Sequence, residues 1–266
     1  VLNASSLTLL PVTIFMYRLQ QGAPDPTLVF LPILLATSAS TLVGLLSVAL
    51  VQRLPIFSPV VLAYLLPVAL ALATFMAFLT TLSAAALAHL SSLMGNLTLF
   101  ALVVLFVALG AYKKVAVYDS FIEGAKEGFD VAKGLLPYLV AMLCAVGVFR
   151  ASGALEYVLS AIRWVVDTVG MDARFVDALP TALVKPFSGS AARAMLIETM
   201  QSHGVDSFAA LTAATVQGST ETTFYVLAVY FGAVGIQRAR HAVACALVAE
   251  LAGVVAAIAV CYHFFG

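Results

Sequence analysis

Charge is what this chain has least of. Only 10% of its 266 residues are Asp, Glu, Lys or Arg, with 13 of each sign and a formal net charge of zero. No basic excess and no stripe of interleaved aromatic and basic residues is present, so no nucleic-acid partner is expected. The three cysteines, Cys144, Cys245 and Cys261, each sit in an apolar run without C-x-x-C spacing and read as small hydrophobes, not disulfides or zinc ligands. The histidines at 89, 203, 241 and 263 show no metal spacing, and His241 and His263 suit a membrane interface. H-E-x-x-H, G-x-S-x-G and phosphate-loop signatures are all missing, which argues against an enzyme. Val1 is not an initiator methionine and no charged n-region precedes the apolar sequence, so the chain reads as the later part of a longer one. The sequons at Asn3 and Asn96 lie beside apolar runs and carry little weight.

Apolar residues are abundant instead. At 63% hydrophobic and a mean hydropathy of +1.08, the chain is far above the roughly half expected of a soluble domain. An all-α polytopic membrane protein follows. Runs at residues 28 to 51, 60 to 79, 85 to 111 and 242 to 264 approach or exceed the roughly 20 residues that cross a bilayer. Residues 4 to 17, broken by Pro11, are too short to cross and read as a half-helix, followed by a loop over 18 to 27 with Gly22, Pro24 and Pro26. Residues 112 to 133 collect eight charges and read as an amphipathic surface helix, with a separate short apolar segment at 134 to 149. Residues 155 to 169 read as an interfacial helix. Residues 180 to 200 set Lys185, Pro186, Ser188-Gly189-Ser190, Arg193 and Glu198 into apolar sequence, which suits a broken or re-entrant helix better than a lipid-facing span.

The organising run is Val216-Gln217-Gly218-Ser219-Thr220-Glu221-Thr222-Thr223. Such polarity at membrane depth is costly unless it lines a cavity or meets a ligand. Glu221 suits a cation, a proton or a solute donor, or else a structural ion pair with Lys185 or Arg193. Gln217, Gly218, Ser219, Thr220 and Thr222 could hold a solute, or the hydroxyls could bond back to their own helix. Ser188, Gly189 and Ser190 could present backbone N–H groups at a helix start, or merely cap it. Lys185 and Arg193 read as gates, counter-ions or snorkelling anchors.

Residues 1 to 14 laid over 216 to 229 bring Asn3, Ser5 and Ser6 over Gly218, Thr220 and Glu221, and a shorter offset later brings Leu42 and Gly44 over Leu251 and Gly253. Both copies share one plan: polar run, short apolar segment, loop, long span. Arg53, Lys113, Lys114, Lys126 and Lys133 fall on one side of the counted spans, taken as cytoplasmic. Arg18 then falls outside and its counterpart at 238 to 241 inside, which makes the copies inverted repeats.

The run Glu123-Gly124-Ala125-Lys126-Glu127-Gly128, then Pro137-Tyr138-Leu139-Val140-Ala141-Met142, Val148-Phe149-Arg150-Ala151-Ser152-Gly153, Ser188-Gly189-Ser190 and residues 217 to 226 resemble spore maturation protein B, and the likeness continues to about residue 260. Residues 2 to 11 and 34 to 37 resemble the end of spore maturation protein A. The resemblance implies a fused A–B protein lacking most of its A half, divided as 1–51 (A-like), 52–111 (joining spans) and 112–266 (B-like gate domain). It also implies the nucleoside-recognition or gate group and a multi-pass protein of the bacterial inner membrane. Gly218-Ser219-Thr220-Glu221 is similar to the G-x-T-E hairpin of concentrative nucleoside transporters, which implies a solute site at Asn3, Ser5, Ser6 and the two polar runs, with Na+ or H+ as coupling ion and no other cofactor. The expectation is alternating-access movement of a small polar solute, with lipid, the missing half and self-association as partners. A membrane scaffold and an ion or metal permease are the alternatives.

Overall fold

The computed structural model describes residues 8–55, 58–233 and 238–266. Among them there is no strand, and the secondary structure is helical throughout. In chain order the helices are α1 (Val12–Gln20), α2 (Phe30–Val51, preceded by a 3-10 turn at Pro26–Val29), α3 (Pro59–Thr80), α4 (Ala84–Tyr112), α5 (Val117–Ala151), α6 (Ala154–Thr168), α7 (Leu179–Val184), α8 (Gly189–His203), α9 (Phe208–Ser219), α10 (Thr223–Ala233) and α11 (Ala242–Phe265). Ser58, Ser83, Ser188 and Ser207 start four of them, each accepting a hydrogen bond from the backbone N–H three residues on. Such caps satisfy donors that a helix start would otherwise leave bare.

Three stretches, Pro26–Val51, Ala85–Tyr112 and Ala242–Phe265, are long and apolar enough to cross a membrane. They occupy different places. Most of the first is inside the bundle, while α4 turns Leu97, Phe100, Val103 and Phe106 outward. Outward apolar side chains on that scale suit lipid, not water. The main core gathers Phe15, Phe30, Leu31, Ile33, Leu196, Leu211 and Phe264 around α2, α8, α9 and α11.

The two long helices that the internal similarity aligns, α2 and α11, pack against each other. Ser40 Oγ donates to the Ala249 carbonyl at 2.8 Å, and at the other end Gln52 Nε2 meets His241 Nε2 at 3.0 Å. As one helix is followed upward in number the other falls, so they run antiparallel. α4 is tied across α2's start by Ser91, whose Oγ takes the Leu31 N–H at 2.9 Å and donates to the Leu28 carbonyl.

Two sequence expectations are corrected. Arg18 is not in a loop: α1 runs past it to Gln20, and its side chain is fully buried. It pairs with Asp206 at 2.8 Å and donates to the carbonyls of Val205, Asp25 and Pro26, so it fastens the first loop to the α8–α9 turn instead of marking a membrane side. The break expected at Pro11 is there: among the described residues α1 starts just after it, at Val12, since proline is tolerated where a helix starts and not within it. Residues 112 to 149 do not split into a surface helix and a separate segment. α5 continues for 35 residues through Pro137.

Because Arg18 is buried with four partners, Arg18→Ala removes a charge pair and strands three carbonyls. The expected loss of stability is about 3 kcal/mol, read as a lower thermal midpoint of the purified protein. Asp206→Asn should cost less, since Asp206 is 43% exposed and water can replace part of its role.

Candidate functional site

Two helices break, and the breaks lie against each other. α7 ends at Val184 and α8 starts at Gly189, with Ser188 capping α8 through the Ala191 N–H at 3.1 Å. α9 ends at Ser219 and α10 starts at Thr223, with Thr220 extended between them. The last carbonyls of α9 and the first N–H groups of α10 have no partners within their own helices. The first break supplies some: Lys185 Nζ donates to the Gln217 carbonyl at 2.8 Å, and the Phe224 N–H donates to the Pro186 carbonyl at 3.0 Å. Phe187 stacks on Phe224 at 5.3 Å. Closeness is set by glycine. A Cβ on Gly189 would stand 2.8 Å from Thr222 Oγ1, and one on Gly218 would stand 2.7 Å from Ile33 Cδ1.

Beside the crossing lies a cavity of about 1000 Å³. Lys185, Arg193, Glu221, Gln217, Gly218 and Thr222 line it, with Ser188, Gly189 and Ser190 at the start of α8 and Tyr225 of α10. Residues from the beginning of the chain close another side, including Thr8, Pro11, Thr13 and Ile14. The Thr8 N–H reaches Thr37 Oγ1 of α2 at 3.2 Å. Asn3, Ser5 and Ser6 lie outside the described residues.

The expected site residues separate by role. Lys185 is 3% exposed and Gln217 8%, and the Gln217 side-chain oxygen has no hydrogen-bond partner among the described residues. Glu221 is exposed and opens onto the cavity, and among the described residues it forms no ion pair within 4 Å with Lys185 or Arg193. Glu221 and Lys185 still lie within electrostatic reach of each other across the cavity lining. Arg193 bonds to the Gly189 carbonyl at 3.0 Å and to Ser190 Oγ at 3.4 Å, which holds a cation at the N-terminal turn of α8. Ser219 does bond back to its own helix, at the Val216 carbonyl, and Thr220 faces away from the cavity lining. Cys144 is exposed and Cys245 and Cys261 are buried, all as free thiols. Among the described residues no three His, Cys, Asp or Glu side chains gather to hold a metal.

Comparison with known proteins places this geometry. The model of the gate family, described as nucleoside recognition, matches residues 132–237, which takes in both breaks. Spore maturation protein B of Bacillus subtilis (strain 168) is 45% identical over 157 residues, 59% of this chain and 86% of that protein. The chain belongs to the spore maturation protein B family. No solved structure matches it.

One residue of this family member escaped the sequence reading. Glu250, on α11, is 3% exposed and accepts from Thr223 Oγ1 at 2.7 Å. A lone acid within an apolar 24-residue helix was the available signal.

Gly218 and Ile33 give a direct check on how α2 packs against the second break. Gly218→Ala should cost about 1–3 kcal/mol through overpacking, and adding Ile33→Val, which removes the Cδ1 methyl nearest the new Cβ, should restore part of the thermal midpoint.

Proposed function

We propose that this member of the gate family binds a small polar solute in the cavity between the two helix breaks and moves it across the membrane by alternating access. The observation that supports this reading most is the cavity's lining: two cations, one carboxylate with no ion pair to either within 4 Å, and a buried amide whose oxygen has no hydrogen-bond partner among the described residues, in about 1000 Å³. Ligand sites for drug-sized molecules span roughly 300–1,000 Å³. The space thus admits a nucleoside-sized molecule, in keeping with the family's description.

Charge narrows the solute. The start of α8 carries the positive end of its dipole, and Arg193 adds a full positive charge at the same place, where an anion and not a cation is favoured. Lys185 adds another positive charge near Gln217. A solute with an acceptor or anionic group toward α8 and a donor toward Glu221 answers both signs. Antiparallel α2 and α11 fit the alternating-access part, because inverted copies can exchange conformations around a fixed site.

A scaffold role is the competing reading, favoured by the Lys185 bond that clamps the two breaks together. Glu221→Gln separates the two. On the solute reading it lowers binding of a panel of nucleosides and small carboxylates to the purified protein by about tenfold, ~1.4 kcal/mol, and slows uptake into proteoliposomes at an unchanged thermal midpoint. Unchanged binding and uptake with a lowered midpoint would favour the scaffold.

A further inference from the structure

Glu250 is the only Asp, Glu, Lys or Arg of α11, and it does not line the solute cavity. It stands behind the wall made by the α9–α10 break. One oxygen, Oε2, accepts from Thr223 Oγ1 at 2.7 Å, while Oε1 has no hydrogen-bond partner among the described residues. Thr220 is 2% exposed and its Oγ1 likewise has none. Thr220 packs on the same face of α11: a Cβ on Gly253, three residues on from Glu250, would lie 2.6 Å from Thr220 Cγ2. Two buried oxygens without hydrogen-bond partners among the described residues thus lie on the two sides of the contact between the break and α11, about one helical turn apart along α11.

Among the described residues, no neighbour bonds to either oxygen. α2, α9 and α10 carry no charged side chain, and Ser40 of α2 is committed to the Ala249 carbonyl. Lys185 is the charged group within electrostatic reach, with Glu221 and Arg193 around it, but its ammonium is bound to the Gln217 carbonyl, and among the described residues it makes no ion pair with Glu250 within 4 Å. Tyr225 faces the cavity instead. A buried carboxylate oxygen with no partner is costly, and a small hard cation or a proton removes the cost.

We propose that Glu250, with Thr220 and Thr223, forms a second site behind the solute cavity that takes up a monovalent cation, a proton or Na+, and locks the α9–α10 break onto α11 when filled. The site is independent of the solute: it stands or falls whether or not the cavity binds one. With a proton, the carboxyl O–H on Oε1 donates to Thr220; with Na+, the carboxylate and the two hydroxyls are its oxygen ligands.

The test is the thermal midpoint of the purified full chain in detergent, measured across pH and with Na+ replacing K+ at constant ionic strength. Binding to the folded state alone raises the midpoint. A rise of a few degrees with Na+ identifies Na+; a rise on acidification that is indifferent to Na+ identifies the proton. In either case Glu250→Gln abolishes the response and Glu221→Gln keeps it. A response that survives Glu250→Gln, no response in the native protein, or loss of the response in Glu221→Gln as well would overturn a separate site. Should Glu250→Gln fail to fold, labelling of the native protein with a hydrophobic carbodiimide decides. Modification of Glu250 suppressed by Na+ or by alkaline pH supports the site, and modification unaffected by both, or absent throughout, contradicts it.

Discussion

Interrupting a helix inside a membrane strips backbone groups of partners that lipid cannot replace, and this constraint governs the site. The chain meets it by setting one interruption against another. Lys185 from the first break takes a carbonyl of α9, and the Pro186 carbonyl takes the first-turn N–H at Phe224. Neither break could be moved alone without exposing polar backbone. Glycine at 189 permits this approach and glycine at 218 lets α2 close in on the second break, and the cavity is what remains on the side where the polar side chains point.

Around this crossing, the antiparallel α2 and α11 form the frame, joined at Ser40 and Ala249 and again at Gln52 and His241. α2 gives Ile33 to the packing of Gly218 and α11 gives Glu250 to Thr223, so each long helix supports the second break from one side. Arg18 plays a comparable part at the far end, where it gathers the loop carbonyls of residues 25 and 26 onto the turn before α9. Charge is scarce in this chain, and Arg18, Lys185 and Glu250, three of its few charged side chains, are buried where helices or loops meet.

Composition and run length made the helical membrane architecture legible, and the Pro, Gly and hydroxyls at 180 to 200 made the first break legible, while the polar run at 216 to 223 read as a cavity wall. Those signals are local. What escaped was decided by partners far away in sequence. Arg18 sits beside Gln20, Gln21 and Gly22 and so looks like loop, yet its partner is Asp206. α5 has a charged half and an apolar half that suggest two elements, but charge and hydropathy report surroundings, and the backbone runs on through Pro137. Glu250 was hidden by averaging, because one acid hardly alters the hydropathy of a long apolar helix. The likeness between the chain's beginning and its second polar run rests on few identities, and it carried no sign that α2 and α11 pack against each other, a contact made between residues some 190 to 210 positions apart.

The central claim is that the paired breaks border a water-filled space within the membrane. It is tested most directly by placing single cysteines, in a background without Cys144, Cys245 and Cys261, at Ser190, Thr222 and the outward-facing Leu251, and exposing the protein in proteoliposomes to a small charged thiol reagent. The account predicts modification at positions 190 and 222 and none at 251. Inert cysteines at 190 and 222 alongside a reactive one at 251 would contradict it.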